Sequence, residues 1–255
     1  RYPGARCDVE SMEYSYQFDA ALQQAWHWSE RFAPQPEILR YANHVADRFE
    51  LRADIQFNTR VVAASFDETA KRWTVGTDDG AETSAQFLVM ATGCLSSPNR
   101  PNIPGLDRFE GAVYHTGEWP HEKVDFTGKR VGVIGTGSSA VQSIPIIAEE
   151  AKALFVFQRT ATYSVPAHNA PLDPEYEAQI KADYAGFRAR NSLMPNAFGS
   201  NFPRTETSAL ETMPEERRRA FERRWQHGGL FFLGAFGDLI LNAEANQTAA
   251  AFVRE

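Results

Sequence analysis

The sequence predicts an α/β protein built on Rossmann-like units, with a mainly helical insertion toward its carboxyl end. Three observations predict it. A strand, a glycine-rich turn, a helix and a second strand follow one another between Arg130 and Phe157. The run Phe87-Leu88-Val89-Met90-Ala91 is continuously apolar, as a fully buried parallel strand should be. After Pro166 the texture changes to helical patterns.

From Pro36 to Phe49 the pattern is helical. Ile38, Tyr41, Ala42, Val45 and Phe49 share a face, and Pro36 suits the first turn. A short strand is expected at Ile55 to Phe57. Val61 to Phe66 reads as a strand running into a turn at Asp67-Glu68-Thr69, and Trp73 to Val75 as another before Asp79-Gly80. The apolar run at 87–91 ends in Thr92-Gly93. Residues 94–108 carry Pro98, Pro101 and Pro104 and read as a loop and a boundary. Beyond Pro166, helices are expected near Pro174 to Arg190, Pro214 to Gln226 and Leu230 to Leu241, with 191–209 irregular.

The 255 residues are 43% apolar and 23% charged, enough for one large or two modest domains. A net charge of -7 argues against nucleic-acid binding, which needs a basic footprint. The cluster Arg217, Arg218, Arg219, Arg223 and Arg224 is interleaved with Glu215, Glu216 and Glu222, and reads as a solvated helix face. Cys7 and Cys94 lack metal-binding spacing. They fit a reducing, cytoplasmic setting and predict neither a disulfide framework nor a metal site. No apolar run is long enough to span a bilayer; Gly228 to Leu241 is short and broken by Asp238. The chain starts at Arg1, and further sequence is expected at both ends. Nothing in the sequence sets an oligomeric state.

Gly135-x-Gly137-x-x-Ala140 follows a strand and opens a helix, the context that gives this pattern meaning. The first glycine permits the turn, the second lets backbone approach a pyrophosphate, and Ala140 keeps the helix near the sheet. Thr136, Ser138 and Ser139 lie in the same turn, where a helix N-terminus favours phosphate, and with Gln142 further along the helix they are candidates for binding the dinucleotide. The second strand ends in Gln158-Arg159-Thr160, not in an acid. A guanidinium and a hydroxyl suit a 2′-phosphate, so NADP(H) is preferred to NAD(H). The plainer readings are a simple glycine turn and a solvated strand-end cation.

The segment Phe109 to Pro120 matches F-x-G-x-x-x-H-x-x-x-W-P at every fixed position. It resembles the fingerprint of type I Baeyer–Villiger monooxygenases, and Val156 to Pro174 is similar to the phenylacetone monooxygenase subgroup in particular. Arg1-Tyr2-Pro3-Gly4-Ala5-Arg6-Cys7-Asp8 resembles the family's R-Y-P-G-x-x-C-D segment, and Ala91-Thr92-Gly93 its A-T-G turn. The resemblance implies a two-dinucleotide-binding-domain flavoprotein with FAD and NADPH as cofactors. Residues 1–98 would be part of the FAD domain, 99–165 the linker with the NADP unit, and 166–255 a mainly helical subdomain. It implies that Arg6, Cys7 and Asp8 lie by NADP and flavin, with Asp8 orienting an active-site arginine beyond Glu255. Tyr14 and Val61 would touch FAD, and His115 and Trp119 would couple the two domains. The reaction implied inserts one O2-derived oxygen next to a ketone carbonyl to give an ester or lactone through a C4a-peroxyflavin, with NADPH as the reductant. The FAD glycine motif would precede Arg1, so this stretch alone is expected to be inactive. Two other readings stand beside it: a flavin monooxygenase that oxygenates nitrogen or sulfur, and a truncated, non-catalytic NADP-binding piece. Residue by residue, Asp8 could also be a helix cap, Tyr14 a core residue and His115 structural.

Overall fold

Strands β1 (Val61–Asp67), β2 (Arg72–Thr77) and β3 (Glu82–Ala85) form an antiparallel sheet in that order. The computed structural model describes residues 1–160 and 162–255; Ala161, inside the Val156–Pro174 stretch, lies outside them. The chain divides into two units, Ala42–Trp119 on one side and Arg1–Tyr41 with Pro120–Glu255 on the other.

In the smaller unit, aspartates make the turns. Asp67 Oδ1 accepts from the N–H of Thr69 at 2.8 Å and of Ala70 at 3.0 Å. Asp79 Oδ1 accepts from the Thr77 hydroxyl at 2.5 Å and the Ala81 N–H at 3.1 Å, beside Gly80 at φ +84°. Phe66 faces Trp73 across the β1–β2 pair, with ring centroids 5.2 Å apart.

Two strand expectations fail in this unit. Leu51–Asp54 is a short 3-10 turn and Ile55 to Phe57 pairs with no described strand. Phe87 to Ala91 is not a buried strand either: Phe87 is 79%, Val89 85% and Met90 76% exposed. An apolar run becomes a strand only beside another strand that satisfies its backbone, and the described sheet ends at β3. Conversely β3, polar and without apolar alternation, is a strand because it pairs in register with β2.

In the larger unit, β4 (Arg130–Ile134) and β5 (Ala153–Phe157) pair in parallel, Arg130 opposite Ala153 and Ile134 opposite Phe157. Helix α3 (Ser138–Glu150) connects them, so the β–turn–α–β reading and the α/β fold class are borne out. Ahead of these in the chain lie α1 (Ala20–Ala25) and α2 (Gln35–Arg48), which begins in the larger unit and continues past Tyr41 into the smaller one; its Tyr41 and Val45 are buried as their helical spacing predicts. Tyr41 packs 5.0 Å from Trp28 and 5.1 Å from Trp26.

The carboxyl-terminal part is helical: α4 (Pro174–Ala182), α5 (Tyr184–Ser192), α6 (Pro214–His227) and α7 (Ala243–Arg254). The one helix expected from Pro174 to Arg190 is two, because Asp183 leaves helical geometry and its carboxylate caps α5 at Gly186 N–H, 2.9 Å. Leu230 to Leu241 is not an α-helix. Gly228 (φ +82°) and Gly229 (φ +67°) turn the chain into a 3-10 segment, Gly229–Ala235, and a Cβ at Gly228 would stand 2.6 Å from the Pro166 carbonyl oxygen. Phe221, Phe232, Phe236 and Leu239 pack with Ala245 and Ala249 into the core of this region.

The arginine cluster on α6 is only partly a solvated face. Arg218 pairs with Glu222 and Glu255 at the surface. Arg224 is buried: it donates to the carbonyls of Phe202 (3.0 Å), Pro203 (2.5 Å) and Phe231 (3.3 Å), with its guanidinium 4.1 Å from the Phe202 ring centroid. Its sequence neighbours are charged; its acceptors come from loops that a helix pattern does not disclose. Among the described residues, no helix is long and apolar enough to cross a membrane, and no cluster of three or more His, Cys, Asp or Glu could hold a metal.

Candidate dinucleotide site

The glycine turn sits at the carboxyl edge of β4 and β5. Gly135 holds φ +102°, a conformation open to glycine, and its N–H donates to the Phe157 carbonyl at 2.9 Å. Gln158 Nε2 donates to Thr136 Oγ1 at 2.8 Å. These two bonds tie the turn to the end of the second strand. Gly137 is the N-cap of α3 and no side chain caps it, so the N–H groups at Ser138, Ser139 and Ala140 open the helix toward a ligand. A Cβ at Gly135 or Gly137 would meet nothing within 4 Å; the turn faces open space. Arg159 and Thr160 follow directly, both exposed, and among the described residues Arg159 forms no ion pair. An open cradle, an uncapped helix start and a strand-end guanidinium and hydroxyl fit a pyrophosphate whose ribose carries a 2′-phosphate.

The Arg1–Asp8 segment is attached to the same helix. Tyr2 Oη donates to Gln142 Oε1 at 2.8 Å, the Arg6 N–H reaches the same oxygen at 3.4 Å, and Gln142 Nε2 donates to the Arg6 carbonyl at 3.2 Å. The Arg6 guanidinium is held by Glu30 Oε2 at 2.9 Å and the Phe32 carbonyl at 3.2 Å. Cys7 is buried, its N–H on the Ala33 carbonyl at 3.0 Å, and burial pushes its thiol up to about 11, so it stays protonated at neutral pH. Asp8 is exposed. Burial, and next the Asp8 carboxylate, push the Tyr14 phenol up to about 12, so these two expected residues are neighbours. Asp8 is not a helix cap; the 3-10 turn Ser11–Tyr14 starts from Glu10.

The larger unit therefore holds Arg6, Cys7, Asp8, Tyr14, the 135–142 stretch, Arg159 and Thr160. Val61, His115 and Trp119 lie in the smaller one. Val61 starts β1 opposite Thr77 and is exposed. His115 Nδ1 accepts from the Gly117 N–H at 3.1 Å and so caps the 3-10 turn Thr116–Glu118. Trp119 is nearly buried, 5.5 Å from the Tyr114 ring.

Sequence reading missed a polar cluster around the buried Glu10. Arg31 Nε donates to Glu10 Oε1 at 2.9 Å and its Nη1 to the His227 carbonyl at 2.6 Å. Tyr176 Oη donates to Glu10 Oε2 at 2.6 Å, and Asn201 Nδ2 donates to Tyr176 Oη at 2.9 Å. Burial and the Glu10 carboxylate hold the Tyr176 phenol above its usual range; burial and Arg31 hold the His227 imidazole below its own. These residues come from separate segments, and none carries a local motif.

A parallel β–turn–α–β unit of this kind defines a dinucleotide-binding α/β protein. The chain belongs to the pyridine nucleotide-disulphide oxidoreductase family, which it matches over residues 15–189. It is similar to a Baeyer-Villiger monooxygenase of Pseudooceanicola batsensis, 44% identical over all of this chain and 46% of the relative. It is similar also to a cyclohexanone 1,2-monooxygenase of Acinetobacter sp, 41% identical over all of this chain and 47% of the relative. Among solved structures, an oxidized steroid monooxygenase bound to NADP superposes with a TM-score of 0.90 at 57% identity, covering 99% of this chain and 48% of that one. The chain spans about half the length of the relatives it matches. The resemblance to Baeyer–Villiger monooxygenases seen in the sequence is borne out by these relatives.

Proposed function

We propose that the full-length protein is an FAD- and NADPH-dependent Baeyer–Villiger monooxygenase, inserting one atom of O2 next to a ketone carbonyl to give an ester or lactone while the other atom leaves as water, with NADPH as the reductant. One observation carries the reading: the glycine turn with Arg159 and Thr160, and the Asp8–Tyr14 pair, belong to one unit, in a chain whose relatives carry that name. When bound, NADPH supplies hydride and FAD the oxygen chemistry.

The residues of this chain bind and orient. The first turn of α3 holds the pyrophosphate through backbone N–H groups, with Gly135, Thr136, Gly137, Ser138, Ser139 and Ala140 around it. Arg159 and Thr160 hold the 2′-phosphate. Asp8, exposed on a segment anchored by buried Cys7, holds a cationic side chain beside the reacting atoms. Tyr14 and Val61 contribute to the FAD surface, and His115 and Trp119 connect an FAD part (1–98) to an NADP part (99–165, with 166–255 as its helical subdomain). Two free thiols suit a reducing cytoplasm.

Replacing Asp8 by alanine in the full-length protein removes one partner of a charge-assisted contact. Ketone oxygenation should slow by roughly 10- to 150-fold, since such contacts contribute about 1.5–3 kcal/mol. Steady-state product formation measures it, and an unchanged rate would take Asp8 out of the site.

A further inference from the structure

Gln142 stands about one helical turn into α3 from the glycine turn, and the protein engages its amide three times. Its Oε1 accepts from Tyr2 Oη and the Arg6 N–H, and its Nε2 donates to the Arg6 carbonyl. Between those contacts the backbones nearly touch: Gly4 holds φ +75°, and a Cβ there would lie 2.1 Å from the Gln142 carbonyl oxygen. Asp8 is two residues beyond Arg6. One side chain therefore joins the helix that opens at the candidate nucleotide turn to the segment that carries Asp8.

We infer that Gln142 is a positioning residue that couples nucleotide binding at the glycine turn to the conformation of the Tyr2–Asp8 segment. The inference rests on reading that turn as the nucleotide site. Lifting the segment breaks its three bonds to Gln142 and opens the Gly4 contact. A ligand that orders the start of α3 raises the cost of that opening, because local opening is an equilibrium that binding shifts. Coupling of this kind is reciprocal: a segment held down favours the nucleotide by the same factor.

The two thiols make the coupling measurable. Cys7 is buried beside Arg6 and meets reagent only when the segment lifts, whereas Cys94 is exposed and serves as an internal standard. Full-length protein would be alkylated with and without saturating NADP⁺, and labelling at each thiol read by peptide mass spectrometry, with NADP⁺ affinity from calorimetry. NADP⁺ should slow Cys7 labelling of the wild type at least about fivefold, the low end of typical coupling, and leave Cys94 unchanged. In Gln142→Ala, NADP⁺ should bind more weakly yet still saturate the protein, and the protection ratio should fall to about one. Tyr2→Phe removes a single hydrogen bond, keeps the fold, and should give an intermediate ratio; it decides the matter if Gln142→Ala does not fold.

A merely structural role would raise Cys7 labelling equally with and without nucleotide, leaving the ratio intact. Wild-type protection retained in both variants overturns the inference, as protection would then come from direct contact. NADP⁺ binding without any protection in the wild type also overturns it, while the nucleotide site stands. Absence of NADP⁺ binding overturns both.

Discussion

Replacing Arg159 by alanine is expected to raise the KM for NADPH roughly 10- to 150-fold while changing that for NADH little. The range follows from about 1.5–3 kcal/mol for a hydrogen bond to a charged group, at about 1.4 kcal/mol per factor of ten. The guanidinium is exposed, at the end of β5, so its loss costs the fold little and the effect falls on the ligand. Only NADPH carries the 2′-phosphate. Arg159→Lys should recover part of the loss, since an ammonium keeps the charge without the two-pronged geometry. Steady-state kinetics with both nucleotides measures this, and equal rises in the two KM values would remove Arg159 from the phosphate site.

Replacing Phe221 by alanine is expected to destabilise the carboxyl-terminal helical core by about 3–5 kcal/mol, the usual loss for a fully buried phenylalanine. Phe221 is buried at the centre of this core. Its ring lies 5.5 Å from that of Phe232, 5.3 Å from Phe236 and 5.4 Å from Phe252. Removing it leaves a cavity bordered by α6, α7 and the 3-10 segment, whose backbones are fixed by their own bonds and collapse only partly. Amide exchange in α6 and α7 should accelerate by about 100-fold or more, as that loss implies when opening is local. Phe221→Leu should cost much less, because it keeps most of the volume. Protection unchanged in Phe221→Ala would show that this cluster is not what holds the helices together.

What was legible in the sequence was local. Val131 to Ile134, the glycine turn and Ala153 to Phe157 announce themselves within 27 positions, and the structure closes them through the Gly135 to Phe157 bond. The Asp67 and Asp79 turns are equally local. Failures came where a distant partner decides. Phe87 to Ala91 has strand composition but no described strand beside it, while β3 has no such composition and does. Arg224 sits in a charged helix and is buried by carbonyls 7 to 22 positions away. The Tyr2–Gln142 bond spans 140 positions, and no periodicity reports it. Helix α7 does carry a local signal: Asn242 Oδ1 accepts from the N–H of Glu244 at 2.9 Å and of Ala245 at 3.1 Å, a cap directly before an alanine-rich stretch. In the site, the glycine turn and Arg159 were legible because a phosphate cradle is a short motif. The Glu10–Arg31–Tyr176 cluster was not, because folding alone assembles it.

NADPH-dependent insertion of one oxygen atom beside a ketone carbonyl, as proposed for the full-length protein, can be measured directly. The direct measurement supplies full-length protein with FAD, NADPH, isotopically heavy dioxygen and a panel of aryl, cyclic and linear ketones, with products read by mass spectrometry. The expected result is an ester or lactone carrying one heavy oxygen, formed efficiently with NADPH and poorly with NADH. NADPH consumption that reduces dioxygen only to hydrogen peroxide and leaves every ketone unchanged, or no NADPH consumption at all, would contradict it.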